Sequence, residues 1–121
     1  MGNKTILIVD DDANVLKILE RILIAAGYSV LKAQNGKDGI SVAKDRKPDL
    51  VLLDITMPDM SGDYACEILS ADPNTQDIPV GFVTGLVTKK EAGRKNTGRY
   101  FYVAKPIDAQ ELLQKIKENL T

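Results

Sequence analysis

The sequence has no histidine, no tryptophan and a single cysteine among its 121 residues. The missing histidine excludes Ser-His and Cys-His nucleophilic pairs and histidine-ligated metal sites. One cysteine excludes an intrachain disulfide framework and a cysteine-ligated metal, and we interpret Cys66 as inert packing on a helix. No apolar run approaches the roughly 18 residues that a membrane span needs. The chemistry of this chain must therefore rest on carboxylates, hydroxyls and lysines.

The charges are almost balanced, with 16 basic residues against 17 acidic ones and a net charge of −1. This balance gives no support to direct nucleic-acid binding, which needs a basic footprint. The first residues do not follow the pattern of a signal peptide. We therefore expect a cytoplasmic protein without membrane contact, with the length of one domain.

Strand-like and helix-like segments alternate along the chain. Runs rich in β-branched residues predict strands over 5–9, 28–33, 50–53, 79–83 and 100–103. Apolar residues at helical spacing predict helices between them, the weakest over 88–96. The run 50–53 has no polar alternation, which is typical of a strand buried on both faces. Five such β-α units predict an α/β fold, one parallel sheet with helices on both faces.

Polar residues stand where these predicted strands end, namely Asp10 and Asp11, Asp54, Thr84, and Lys105 followed by Pro106. Functional groups of such sheets lie beyond the carboxyl ends of the strands, so we expect these side chains to converge. Clustered carboxylates repel one another unless a cation lies among them. Oxygen ligands without nitrogen or sulfur suit Mg²⁺, whose charge with that of Lys105 would balance the three aspartates.

A carboxylate beside Mg²⁺ and a lysine is equipped to attack a phosphoryl group. Phosphoryl transfer depends mostly on positioning and charge neutralisation. Aspartate can act as a nucleophile and form an aspartyl-phosphate. The Thr84 hydroxyl could donate a hydrogen bond to a phosphoryl oxygen. The strand ends therefore indicate phosphoryl chemistry.

Four motifs occur in order along the chain: Ile6-Leu-Ile-Val-Asp-Asp-Asp12, Leu52-Leu-Asp-Ile-Thr-Met-Pro-Asp-Met-Ser-Gly62, Phe82-Val-Thr-Gly85 and Tyr102-Val-Ala-Lys-Pro106. In this order and spacing they make the sequence resemble, over its full length, the response-regulator receiver domains of two-component signalling, the CheY-like family. The resemblance implies a flavodoxin-like (βα)5 fold with strand order 2-1-3-4-5. We expect a single receiver domain over residues 1–121, without an effector domain.

The resemblance also implies roles for the acidic residues. Asp54 would be the phosphoacceptor. Asp11 would be a direct Mg²⁺ ligand, and Asp10 would act on the metal mainly through water. The backbone carbonyl of Thr56 would complete the protein ligands of Mg²⁺.

The remaining implied roles concern the phosphoryl group and the response to it. Lys105 would bind the phosphoryl group, and its peptide bond to Pro106 would be cis. Thr84 and Tyr102 would form the switch pair, in which Thr84 moves toward the phosphoryl oxygens and Tyr102 rotates into the space left behind. Such a change is a population shift between two packings. It would alter the face built from the helix over 88–96, the last strand and the last helix.

The family receives its phosphoryl group from a phosphohistidine on a histidine kinase or phosphotransfer protein. The implied function is therefore a phosphoacceptor signalling domain that catalyses only its own phosphorylation and slow dephosphorylation. An unknown downstream protein would read the switched surface, with the chain a monomer or a phosphorylation-dependent dimer. In this family, positions 56 and 86 tune the phosphoryl lifetime, so Thr56 and Leu86 leave the hydrolysis rate open.

Other functions stay open as alternatives. A receiver-like interaction module would bind partners without being phosphorylated, but such modules usually lack the acceptor, an acid or the lysine. A phosphatase of the haloacid-dehalogenase type would need a second aspartate two residues after Asp54, where this chain has Thr56. A Rossmann nucleotide binder is disfavoured because no G-x-G-x-x-G motif follows the first strand.

Two features depart from the usual pattern of the family. Gly81 lies inside the fourth predicted strand, where a branched residue is more usual. Gly93 and Gly98 lead us to expect unusual mobility over 85–98, which slow amide exchange there would contradict. We interpret a nearby basic cluster as a solvated face, with a docking surface for an acidic partner as the alternative; its residues are Lys89, Lys90, Arg94, Lys95 and Arg99.

Overall fold

The computed structural model describes residues 3–85 and 100–120. In chain order the elements are β1 (Thr5–Val9), α1 (Ala13–Ala25), β2 (Ser29–Ala33), α2 (Gly36–Arg46), β3 (Leu50–Leu53), α3 (Gly62–Ala71), β4 (Val80–Thr84), β5 (Tyr100–Ala104) and α4 (Ala109–Leu120). The helix predicted over 88–96, the basic cluster and Leu86 lie outside the described residues. The same holds for all but Gly85 of the stretch 85–98 that is expected to be mobile.

The five strands form one parallel sheet in the order β2-β1-β3-β4-β5. This result confirms the predicted fold class and strand order. The chain reverses direction across the sheet at β1, which lies between β2 and β3. Val9 is the register partner of Leu53. The residues after β1 and β3 therefore emerge side by side at the carboxyl edge, where α/β sheets place their ligand sites.

Apolar side chains cover both faces of the sheet. On one face, α1 and α4 pack against alternate residues of β1, β3, β4 and β5, and on the other face α2 and α3 do the same. The four residues of β3 are all buried, as their unbroken apolar run predicts. Among the described residues, no helix is long and apolar enough to cross a membrane.

Local signals set the ends of the first two helices. The Asp12 carboxylate accepts a hydrogen bond from the amide of Asn14 at the start of α1. Gly27 follows the end of α1 with a φ of +96°, a conformation that favours glycine. The Asn35 side chain caps α2 by accepting from the amide of Asp38 at 2.8 Å. These contacts define where α1 begins and ends and where α2 begins.

Gly81 is required by the packing of the neighbouring strand. A Cβ atom at this position would lie 2.3 Å from Cζ of Phe101, whose ring fills the α1–α4 face of the sheet. Gly81 is also the register partner of Phe101 on β5. The Phe101 ring on β5 therefore occupies the space that a side chain at position 81 of β4 would need. This explains why position 81 departs from the family pattern.

Candidate functional site

Asp10 and Asp54 come directly after β1 and β3 and are held by the main chain. The Asp10 amide donates to the carbonyl of Ala33, and the Asp54 amide donates to the carbonyl of Val9 at 3.0 Å. Both side chains are buried, with 1% of Asp10 and 7% of Asp54 exposed. Two carboxylates so far removed from water need a compensating charge or hydrogen bonds nearby.

Asp11 joins these two residues in an acidic cluster. One carboxylate oxygen from each of Asp10, Asp11 and Asp54 lies within 4.8 Å of the others, and Asp11 is exposed to solvent. A partly hydrated divalent cation can bridge oxygens at this spacing, and an all-oxygen donor set suits Mg²⁺. The residues present therefore fit the ion that the sequence predicts.

Lys105 brings the compensating charge from the far end of the chain. Its Nζ lies 3.0 Å from Oδ2 of Asp10 and 3.6 Å from Oδ2 of Asp54. Its backbone amide donates to the carbonyl of Thr84, which fixes the position after β5 relative to the end of β4. The peptide bond between Lys105 and Pro106 is cis, as expected. The structure thus brings the four predicted charged groups to one edge of the sheet.

The environment of Asp54 raises the pKa of its carboxyl group above the ordinary value. Burial is the main cause, and the negative charge of Asp10 adds to it. Lys105 and a hydrogen bond from the Thr56 amide act in the opposite direction, and Asp11 contributes a smaller increase. A cation beside this carboxylate would offset the repulsion and favour its ionised form.

The loop between β3 and α3 closes tightly behind Asp54. The Gly62 amide donates to the carbonyl of Ile55 at 2.7 Å. A Cβ atom on Gly62 would lie 2.3 Å from the carbonyl oxygen of Asp54, so a side chain would force the two segments apart. Thr56 lies at the start of this loop, with its amide on the Asp54 carboxylate. Its carbonyl as a metal ligand stays a prediction.

Thr84 and Tyr102 lie on neighbouring strands and on the same face of the sheet. Thr84 ends β4 and is buried, and its register partner is Ala104, two residues after Tyr102. The Tyr102 ring is half-buried and stacks on Phe82, with the ring centroids 5.2 Å apart. Burial raises the pKa of the Tyr102 hydroxyl above its usual range. Their role as a switch pair stays a prediction.

Two residues with long-range polar contacts were not predicted from the sequence. Asp59 accepts hydrogen bonds from the first two amides of α2. Lys115 is buried on α4, where its ammonium donates to the carbonyl of Tyr102 and lies 3.6 Å from Oε1 of Glu111. An acidic residue in a loop carries no local signal of such partners, and for Lys115 the i,i+4 spacing signals only the pair with Glu111. Only Lys115, three residues after Leu112 on the inner stripe, could have suggested burial.

Comparisons with known proteins agree with this fold. The family model of the response regulator receiver domain matches residues 6–117, and the chain belongs to that family. Protein PilH of Pseudomonas aeruginosa is 42% identical over 113 residues, which cover 92% of this chain and 93% of PilH. The polar-differentiation response regulator DivK of Brucella anthropi is 31% identical, over 97% of this chain and 96% of DivK.

A solved structure extends the likeness to three dimensions. The response regulator receiver domain protein (CheY-like) of Methanospirillum hungatei JF-1 matches with a TM-score of 0.81 and 31% identity. The match covers 98% of this chain and 94% of that chain. The resemblance inferred from the four motifs is therefore confirmed: this is a receiver domain of two-component signalling, a class that interacts with histidine kinases and downstream targets.

Proposed function

We propose that Asp54 accepts a phosphoryl group from a phosphohistidine of a histidine kinase or phosphotransfer protein, in a Mg²⁺-dependent reaction. The observation that carries this proposal is the meeting of Lys105 with Asp10, Asp11 and Asp54 at one edge of the sheet. Groups that neutralise charge around a nucleophile are the main requirement of phosphoryl transfer. Family membership supports the same function.

The metal ligands in this proposal are Asp10, Asp11, Asp54 and the backbone carbonyl of Thr56, with Asp10 acting mainly through water. When bound, Mg²⁺ would offset the negative charge of the carboxylates and of the incoming phosphoryl oxygens. The family and the oxygen cluster support this assignment. The chain's own cation, Lys105, also lies beside the two buried carboxylates, with its Nζ 3.0 Å from Asp10 and 3.6 Å from Asp54.

In the proposed step, a carboxylate oxygen of Asp54 attacks the phosphorus atom of phosphohistidine. An oxygen–phosphorus bond forms as the nitrogen–phosphorus bond breaks, and the electron pair leaves with the imidazole, which takes a proton from solvent. Lys105 can turn its ammonium from Asp10 toward the phosphoryl oxygens, and the Thr84 hydroxyl donates to one of them. Water later hydrolyses the acyl phosphate slowly, so the chain acts as a signalling domain and not as an enzyme with turnover on a separate substrate.

The proposed output is a change of surface that begins at Thr84. Phosphorylation adds roughly −1.5 to −2 charges and three acceptor oxygens. Movement of Thr84 toward these oxygens would free space on the face that it shares with Tyr102, and the half-buried tyrosine ring would turn inward. An unidentified downstream protein would read this change. The single domain without an effector, the monomer or phosphorylation-dependent dimer and the cytoplasmic location stay predictions.

The proposal is tested by the intact mass of the protein after incubation with Mg²⁺ and acetyl phosphate or a small phosphoramidate. We expect the native chain to gain the mass of one phosphoryl group, and the gain to vanish when Mg²⁺ is withheld. Asp54→Asn is the matched variant, because it keeps the size of the side chain and should show no gain. If the native chain gains no mass, the alternative of a phosphorylation-independent interaction module is favoured.

A further inference from the structure

Asp59 connects the loop that follows the phosphoacceptor to the start of α2. Its Oδ1 accepts from the amide of Gly36 at 3.0 Å, and its Oδ2 accepts from the amide of Lys37 at 2.9 Å. These amides belong to the first turn of the helix, where N–H groups have no partner within the helix and the helix dipole favours a negative charge. Both oxygens of Asp59 are therefore used to join two segments that lie far apart in sequence.

Met60 makes a second contact between the same two segments. A Cβ atom on Gly36 would lie 2.3 Å from Cγ of Met60 and 2.8 Å from its Sδ. The Met60 side chain thus occupies the space above the first residue of α2, which only glycine leaves open. The polar contact of Asp59 and the apolar contact of Met60 hold neighbouring residues of the loop against one end of one helix.

The loop is also held at the end nearest the sheet. Gly62 packs on the carbonyl of Asp54 and donates to that of Ile55, while the Thr56 amide bonds to the Asp54 carboxylate. Thr56 therefore lies between two attachments, one at the carboxyl edge of the sheet and one at the start of α2.

We propose that Asp59 is a positioning residue for the metal site, which fixes the 55–61 loop so that the Thr56 peptide keeps its place beside the acidic cluster. This inference rests on the proposed Mg²⁺ site. Residues that orient the direct ligands of a metal commonly change its affinity when they are replaced. Without Asp59, the loop would lose its hydrogen bonds to α2, and the Thr56 carbonyl would have to be ordered at the moment when the ion binds.

If Asp59 were only a helix cap, its replacement would lower the stability as any lost cap does, without a specific effect on the Mg²⁺ affinity. Replacement of Asn35 distinguishes this role from the proposed positioning role. Asn35 already caps α2 from within its own segment, by accepting from the amide of Asp38 at 2.8 Å. Its removal loosens the same helix end without touching the 55–61 loop. Asn35→Ala is therefore the matched control for Asp59→Ala.

The test is a calorimetric titration of the native protein and its variants with Mg²⁺, with urea unfolding of each in the absence of the ion. We expect Asp59→Ala and Asn35→Ala to show similar downward shifts of the urea unfolding midpoint, since each loses a cap of the same helix. We expect only Asp59→Ala to weaken the Mg²⁺ affinity, by roughly 10-fold. Asp59→Asn keeps one acceptor oxygen, so its Mg²⁺ affinity should fall between those of the native protein and Asp59→Ala. This variant preserves the test if Asp59→Ala does not fold.

An unchanged Mg²⁺ affinity in both Asp59 variants would overturn this inference while leaving the proposed metal site intact. An equal loss of affinity in Asn35→Ala would overturn it as well, since the effect would then come from the helix end alone. If the native protein itself binds no Mg²⁺, the proposed function fails first and the inference fails with it.

Discussion

The Nζ atom of Lys105 lies 3.0 Å from a carboxylate oxygen of Asp10, although 95 positions separate the two residues in sequence. Asp10 is almost fully buried, while the lysine side chain keeps about a quarter of its surface exposed. The contact therefore places a cation at the solvent side of a buried carboxylate pair. Most of the electrostatics of the site follow from this arrangement.

Replacing Lys105 removes the only lysine or arginine that forms an ion pair with Asp10 or Asp54 within the described residues. We expect Lys105→Met to lower the free energy of unfolding by about 1–3 kcal/mol at neutral pH, because a buried charge loses its partner. Urea unfolding without Mg²⁺ measures this loss, and added Mg²⁺ should restore part of it. Lys105→Arg keeps the charge and serves as the control. Equal stability of the native and Lys105→Met proteins would show that the ion pair contributes nothing.

The raised pKa of Asp54 predicts a pH-dependent effect of Asp54→Asn. Between the ordinary and the raised pKa, the folded protein binds a proton that the unfolded chain has released, so stability falls as pH rises through this window. The cost is fully present above the raised pKa, and asparagine does not have it. We expect Asp54→Asn to raise the Tm without Mg²⁺ at a pH above this window. The difference should shrink as the pH falls through the raised pKa, and a difference independent of pH would contradict the account.

The packing of Gly81 against Phe101 predicts an unusual mutational pair. Gly81→Ala puts a methyl group where the Phe101 ring lies, and overpacking of this kind costs roughly 1–3 kcal/mol. Phe101→Leu leaves a gap at the same place and also destabilises. In the double variant the new methyl group occupies part of that gap. The stability lost by the double variant should therefore be smaller than the sum of the losses of the two single variants. Additive losses in urea unfolding would argue against direct contact.

Lys115 joins α4 to β5 at the residue proposed as the switch. Its ammonium donates to the Tyr102 carbonyl and pairs with Glu111, whose Oε1 has no hydrogen-bond partner among the described residues. We expect Lys115→Met to cost about 1–3 kcal/mol, since a buried carbonyl and a buried carboxylate oxygen both lose their cation. Adding Glu111→Gln to that variant should recover part of the loss. If urea unfolding shows no recovery of stability in the double variant, the loss does not come from the unpaired carboxylate of Glu111.

Local patterns predicted the sheet because apolar runs and strand ends are encoded within a few residues. The unbroken run of β3 and the aspartates that follow β1 and β3 were sufficient to predict the acidic edge. Boundaries were less accurate: β4 extends to Thr84, which pairs with Ala104, so the predicted end at residue 83 was one residue short. Strand pairing, which no local pattern contains, decides that last residue.

Contacts away from the strand ends were the part that sequence reasoning missed. Ile18 and Tyr64 fit the helical patterns of α1 and α3, yet about half of each is exposed. Helical spacing alone does not determine how far a neighbouring element covers a helix. The partners of Asp59 and of Gly81 are likewise set by how whole elements pack, so the sequence shows Gly81 only as a departure from the family pattern.

The most direct test of the account is to locate the phosphoryl group itself. The protein is phosphorylated with acetyl phosphate and Mg²⁺, the acyl phosphate is reduced with borohydride, and the digested peptides are sequenced by tandem mass spectrometry. The account predicts that the reduced residue is Asp54 and that Asp54→Asn yields no reduced residue at Asp10 or Asp11. A phosphoryl group on another residue of the native protein, with Asp54 unmodified, would contradict the central claim.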